Sequence, residues 1–346
     1  MSVEDPRGPS TVEEAAPPDD VERPPSTLQR VFAGSSTQIG LILVGLIVVF
    51  SLLSFEEFFA VANARNIATD AAVLLVLAVG ATYVIVTAGI DLSIGSVLVF
   101  SGVVAAKLMN ALGGQSLGVI LLGLAVALLS GMAWGLFNGF LIAKAKIPAF
   151  IVTLGTLGMS LGAALLITGG VDEREVPFNL VGKFGIGRVL GIPYLVLVAL
   201  AVAIVLGILL AQTRFGRYTY AIGSNEEAVR RSGVNVDRHL IKIYALAGFL
   251  SGLAGFMNLA RFGTTTIGGH ATDNLNAIAA VVIGGTSLFG GIGTILGTVF
   301  GVFIPAVLQN GFVIIGVQAF WQQVAVGAVL IIAVYLDQLR RARQRQ

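Results

Sequence analysis

Apolar residues along this 346-residue chain run in long stretches, interrupted by short polar or glycine-punctuated breaks. A helix crossing hydrocarbon needs about 20 mostly apolar residues, because its backbone must satisfy its own hydrogen bonds there. The pattern predicts spans near 37–55, 67–88, 94–112, 117–143, 148–168, 193–212, 240–260, 275–289, 293–312 and 319–336. The 117–143 stretch is long enough to tilt. The 275–289 stretch is too short for an independent crossing and reads as a half-helix or re-entrant segment. The predicted fold class is all-α, a polytopic membrane bundle of about ten helices within a range of eight to ten.

Composition agrees: 56% of residues are hydrophobic and 12% charged, against about a quarter charged in soluble chains. Much of the charge lies outside the spans. Glu4, Asp5, Glu13, Glu14, Asp19, Asp20 and Glu22 all precede residue 27. Residues 1–35 are acidic, Pro-rich and poor in large apolar side chains, so they are expected to be a disordered tail and not a cleaved signal. A membrane-spanning body is expected over 36–338, and a basic tail over 339–346. The chain has no cysteine, which excludes disulfides and thiolate chemistry, and its net charge of +2 gives no reason to expect nucleic acid.

Lys and Arg near spans favour the cytoplasmic side. Lys144 and Lys146, the group Arg214, Arg217, Arg230, Arg231, Arg238 and Lys242, the terminal Arg340, Arg341, Arg343 and Arg345, and Arg30 fall on one side if there are ten crossings. Both termini are then cytoplasmic, and 169–192, with Asp172, Glu173 and Glu175, is outside. Glycines at spacing four (Gly131, Gly135 and Gly139; Gly158 and Gly162; Gly248 and Gly252; Gly293, Gly297 and Gly301) predict close helix packing.

Three segments carry chemistry. In Ala88-Gly89-Ile90-Asp91-Leu92-Ser93-Ile94-Gly95-Ser96, glycine lets the chain turn, and Asp91 or Ser93 is expected to cap the next helix. A carboxylate there is costly, so a place on a gate or translocation path is the second reading. Within the 213–240 loop, Ser224-Asn225-Glu226-Glu227-Ala228-Val229-Arg230-Arg231-Ser232-Gly233 reads as a short helix. Ser224 is the expected N-cap with Glu227 completing a capping box, and Gly233 the left-handed stop. So short a helix does not persist alone, and it reads either as a solvated turn or as a docking element. The third segment, Ala277 to Gly291, ends in paired glycines around Thr286 and Ser287. Such backbone at membrane depth lines a cavity or lies inside protein. Asn138, polar within an apolar span, joins these candidates.

Absences narrow the field. There is no Gly-x-x-x-x-Gly-Lys-Ser/Thr loop, only His239 and His270 as histidines, and no run of buried carboxylates for a proton relay. Neither a metal nor another cofactor is expected in this chain. No nucleophile and base are visible, so it does not read as an enzyme.

Ala88 to Ser96, Asn138-Gly139, Ile147-Pro148-Ala149-Phe150-Ile151-Val152-Thr153-Leu154-Gly155-Thr156, Ala221 to Ala228 and Ala279 to Leu288 occur in that order. They resemble the permeases of ribose- and xylose-type ABC sugar importers, over about residues 40–336. The resemblance implies a homodimer in a bacterial or archaeal cytoplasmic membrane, surrounded by lipid. It also implies a separate ATPase that holds ATP and Mg, and an extracytoplasmic sugar-binding protein. By that likeness Ser224, Asn225, Glu226, Glu227, Ala228, Arg230, Arg231 and Gly233 form the ATPase-coupling segment. Asp91, Ser93, Asn138, Asn274, Asn276, Thr286 and Ser287 are candidates for the path or gate. Branched-chain amino acid or nucleoside importers, and a self-sufficient secondary carrier, are the alternatives. The chain departs from the family at Asn274-Leu275-Asn276, where a Glu-Leu-Asp arrangement is usual, and in lacking an Arg-Gly near Leu161-Gly162. Asn keeps the shape of the acids without their charge.

Overall fold

Glycine decides where the backbones of this bundle meet. Leu117–Ala143 and Val236–Phe262 cross with Gly131 against Gly248 and Gly252, Gly135 against Tyr244 and Ala245, and Gly139 against Ile241. A methyl group at any of the three would strike the opposing backbone, so the predicted close packing is realised along this seam. The computed structural model describes residues 35–318 apart from 271, together with the isolated positions 321, 324, 327, 328, 331 and 335. The expected acidic tail before residue 35, most of the tenth span and the basic tail lie outside the described residues.

In chain order the helices are α1 (Ser35–Leu53), α2 (Phe55–Phe58), α3 (Val61–Val86), α4 (Ile94–Leu112), α5 (Leu117–Ala143) and α6 (Ala149–Thr168). A π-helical turn (Leu180–Gly185) and a hairpin, β1 (Arg188–Val189) paired antiparallel with β2 (Ile192–Pro193), follow. Then come α7 (Tyr194–Gln212), α8 (Arg214–Ser224), α9 (Glu226–Arg231), α10 (Val236–Phe262), a 3-10 turn (Ile267–His270), α11 (Asp273–Ile283) and α12 (Ile295–Ile314). Seven of these (α3, α4, α5, α6, α7, α10 and α12) are long and apolar enough to cross a membrane, and α1 adds a shorter apolar run, Ile39–Leu53. The stretch expected as a half-helix is α11, with 11 residues.

α3 is the central post, and most of its apolar stretch is buried. It is tied sideways by two contacts: Thr82 and Thr298 share a buried hydrogen bond of 2.7 Å, and the Tyr83 hydroxyl donates to the partly buried Leu206 carbonyl at 2.6 Å. These bonds satisfy polar groups that hydrocarbon would leave unpaired. The last glycine row of the sequence packs as expected, with Gly297 against Gly284 and Gly301 against Ala280. Gly158 and Gly162 do not: nothing lies within 4 Å of a methyl built on either, so the α6 face they carry has no packing partner among the described residues.

Opposite ends of the bundle carry distinct polar sets. At one end Lys107 pairs with Glu173, Asp70 pairs with Arg261, and Asp172 accepts from the Thr265 hydroxyl at 2.9 Å and the Ile267 amide at 2.7 Å. Lys107 therefore reaches a carboxylate at the helix end, its long apolar stem carrying the charge out of the apolar span. Lys144 and Lys146 gather at the other end with α8, α9 and the start of α10, on the carboxylate of Asp237.

Candidate functional site

α3 ends at Val86 and α4 begins at Ile94; the chain between them is non-helical, with Thr87, Asp91 and Ser93 buried and Ala88 exposed. Ala88 takes a left-handed φ of 61° there, a conformation costly for a residue with a side chain. A Cβ on Gly89 would sit 2.7 Å from the Tyr244 hydroxyl, so a larger residue there would displace that side chain.

A chain of donors organises this break. The Asn138 amide donates to the Ser93 hydroxyl at 2.9 Å, and that hydroxyl donates to Asp91 Oδ1 at 2.6 Å. The Ser93 backbone amide donates to the same oxygen at 2.9 Å. Asp91 is 4% exposed and Asn138 1%, so this is an acidic group satisfied from within the protein. On the far side the Asn274 amide donates to the Leu92 carbonyl at 3.1 Å. An amide at residue 274 therefore supplies a donor that an ionised carboxylate lacks. Thr153 Oγ1 lies 3.4 Å from the Ile90 carbonyl, and the Tyr244 hydroxyl 3.5 Å from it.

Asp91 and Ser93 of that segment thus meet Asn138 and Asn274, candidates from distant parts of the sequence, around one break. The expected capping is corrected: Ser93 occupies the N-cap position of α4, but no side chain caps that helix, because the hydroxyl is turned back to Asp91. Asn276 is half-buried on α11 and its backbone amide donates to Thr272. Thr286 and Ser287 belong to a different place, the turn joining α11 to α12. The Ser287 amide donates to the Ile292 carbonyl there at 3.0 Å.

That turn is one arm of a three-way junction. The Gly291 amide donates to the Val86 carbonyl at 2.9 Å, covering the end of α3. A Cβ on Gly223 would collide with the same carbonyl, and one on Gly291 would sit 3.3 Å from Ser224. Gly290 and Gly291 have φ of 80° and 76°, which glycine adopts without strain. The junction joins the break directly to Ser224, the last residue of α8.

α9 is shorter than the sequence suggested and starts one residue later. Ser224 closes α8, and Asn225 is the N-cap, its Oδ1 accepting from the Ala228 amide at 2.9 Å. The expected capping box does not form, because Glu227 pairs with Arg231 at 2.9 Å one turn on. Glu226 likewise pairs with Arg230 at 2.7 Å. Gly233, at φ 85°, is the left-handed residue after the helix that the sequence predicts. α9 buries none of its side chains. Sequence reasoning passed over Tyr244 and Asp237, which sit in an apolar run and a charged loop; their role comes from long-range contacts with no local signature.

A groove of about 420 Å³ lined by Phe100, Ser130, Ala133, Trp134, Phe137 and Met159 lies elsewhere on the bundle. Its hydroxyl, Ser130, donates to the Ala127 carbonyl, so the lining offers little to orient a polar ligand. Among the described residues no group of His, Asp or Glu side chains could hold a metal ion.

A family model described as branched-chain amino acid transport system / permease component matches residues 63–334. The ribose import permease protein of Escherichia coli (strain K12) is 40% identical over 302 residues, covering 85% of this chain and 91% of that protein. That of Bacillus subtilis (strain 168) is 39% identical over 298 residues, 86% and 91% respectively. The galactose/methyl galactoside import permease protein of Escherichia coli (strain K12) is 35% identical over 327 residues, 88% and 96%. No solved structure matches the chain.

Proposed function

The chain belongs to the branched-chain amino acid transport system / permease component family, and from that premise we propose that it is the membrane-spanning permease of an ATP-driven importer for a monosaccharide. The observation that carries the sugar reading is the set of relatives named for ribose and galactose import, aligned over at least 85% of this chain. A pentose or hexose would pass into the cytoplasm by alternating access, with both termini on the cytoplasmic side. ATP and Mg would bind a separate ATPase, an extracytoplasmic protein would deliver the sugar, and a second copy of this chain would complete the pore. The apolar faces of the long helices would meet lipid in the cytoplasmic membrane of a bacterium or archaeon.

In this reading Ser224 to Gly233 contacts the ATPase. The glycine junction of Gly223, Val86 and Gly291 joins that contact to the break at Asp91. A break held by directional bonds, with strain at Ala88 and no bulk at Gly89, suits a gate with discrete arrangements. Asp91, Ser93, Asn138 and Asn274 would form its polar frame. Asn276, Thr286 and Ser287 would line or support the path on the α11 side.

The family description names branched-chain amino acids, which keeps one alternative cargo in the experiment. Vesicles holding this chain are given labelled pentoses, hexoses or leucine, with and without ATPase, binding protein and ATP. Sugar uptake that needs all three supports the proposal. Leucine uptake under the same requirement replaces the cargo, and uptake by the chain alone makes it a secondary carrier.

A further inference from the structure

We propose that the carboxylate of Asp237 is a positioning junction that ties α9 to the turn between α5 and α6, so that movement of α9 is delivered to both helices flanking the polar break. The inference rests on the permease reading above. Asp237 stands in the first turn of α10. Its Oδ1 receives Arg230 at 2.9 Å and Lys146 at 2.9 Å, and its Oδ2 receives Lys144 at 3.3 Å. The three cations come from two separate segments: Arg230 from α9, and the lysines from the 144–148 turn. The Asp237 side chain is 16% exposed against 42% for Arg230 and 49% and 57% for the lysines. The acid therefore sits beneath its donors, where water screens it less.

α9 has little else to transmit a load. It buries no side chain, and its other ion pairs, Glu226 to Arg230 and Glu227 to Arg231, are internal. Among the described residues, Arg230 to Asp237 is the ion pair that leaves the helix for another element. On the receiving side the turn is taut: Lys146 has a left-handed φ of 58°, strained for a residue with a Cβ. Lys144 is the C-cap residue of α5. From there each flank reaches the break within one helix. α5 carries Asn138, bonded to Ser93, and α6 carries Thr153, set against the Ile90 carbonyl. A single exposed ion pair is worth little, but three donors on one carboxylate cannot all be kept if either segment moves alone.

The test has a structural and a transport arm, both on the full chain. Amide exchange of residues 144–147 in nanodiscs is expected to rise in Arg230→Gln, although the substitution is on α9; unchanged exchange overturns the junction whatever the uptake result. In proteoliposomes with ATPase and binding protein, Asp237→Asn is expected to lower sugar imported per ATP by about fivefold or more, with ATPase co-purification retained and Asp237→Glu restoring the ratio. Arg230→Gln and Lys146→Gln should each lower it, and together no further than Asp237→Asn. These exposed sites carry the test should Asp237→Asn fail to insert. An unchanged ratio, or losses from Arg230 and Lys146 that combine as independent effects, overturns the proposal. A wild type with no ATP-dependent uptake instead removes the permease reading, and the exchange arm still decides the junction.

Discussion

The side-chain amide of Asn138 donates to the hydroxyl of Ser93 at 2.9 Å across a sequence separation of 45 residues. This bond orients the hydroxyl so that its own proton goes to Asp91. Removing the donor leaves the buried Ser93 oxygen short of a partner, at a cost of about 1–3 kcal/mol. Asn138→Leu is therefore expected to lower the detergent melting temperature and to slow uptake while the chain still inserts. An unchanged melt and unchanged uptake would show that the break does not depend on this bond.

Gly135 and Gly158 offer a direct contrast. A Cβ at residue 135 runs into the Tyr244 carbonyl, whereas at residue 158 it meets nothing within 4 Å. Gly135→Ala should force α5 off α10 and cost about 1–3 kcal/mol, as overpacking does. Gly158→Ala should hold or raise stability, since alanine is about 0.5–1 kcal/mol better than glycine within a helix. Thermal unfolding of the two variants side by side checks the pair. A loss at Gly158 matching that at Gly135 would mean that another chain packs on the open face of α6.

These two positions also mark what the sequence conveys and what it withholds. The small-residue rows announce close packing at both, because the spacing is the same. Only the fold distinguishes a row pressed on another backbone from one left open. The bounds of α4 and α5 follow the apolar runs directly, as nothing but hydropathy is needed to place them. The 213–240 stretch is less legible. Its capping rule pointed to Ser224, but α8 extends through that residue and hands the cap to Asn225. The meeting of Asp91, Ser93, Asn138 and Asn274 could not be read from spacing, because it depends on three parts of the chain converging, the 87–93 break, α5 and α11. Asp237 looked like one charge among many, and only its three cationic neighbours set it apart.

At the opposite end, Asp172 holds the chain that leads into α11. Its Oδ1 accepts from Thr265 and Ile267, while the Thr265 amide donates to the Glu173 carbonyl at 3.2 Å. Asp172→Ala removes two of these bonds and leaves the Ile267 amide, in a buried residue, without its acceptor. The loss should be local: faster amide exchange over 263–270, with exchange over α5 and α10 unchanged. Protection of 263–270 equal to that of the unmodified chain would show that the 172–173 segment does not restrain it.

The most direct probe of the coupling segment is to unfold α9 without touching the bundle. The helix has six residues, too few to hold by propensity. Its order comes from the Asn225 cap, the Gly233 stop and the two internal ion pairs. Asn225→Ala removes the cap at about 1 kcal/mol. Gly233→Val forces a β-branched residue into a left-handed φ of 85°, at a further cost of about 1–2 kcal/mol. Neither residue lies in a long apolar helix, so insertion and the melt of the bundle should stay as they were. ATPase co-purification should fall in the double variant and fall less in each single one. If α9 were only a solvated turn, the double variant would retain the ATPase as the unmodified chain does, and the coupling role would have to move to the exposed face of α8 that carries Arg214, Arg217 and Tyr218.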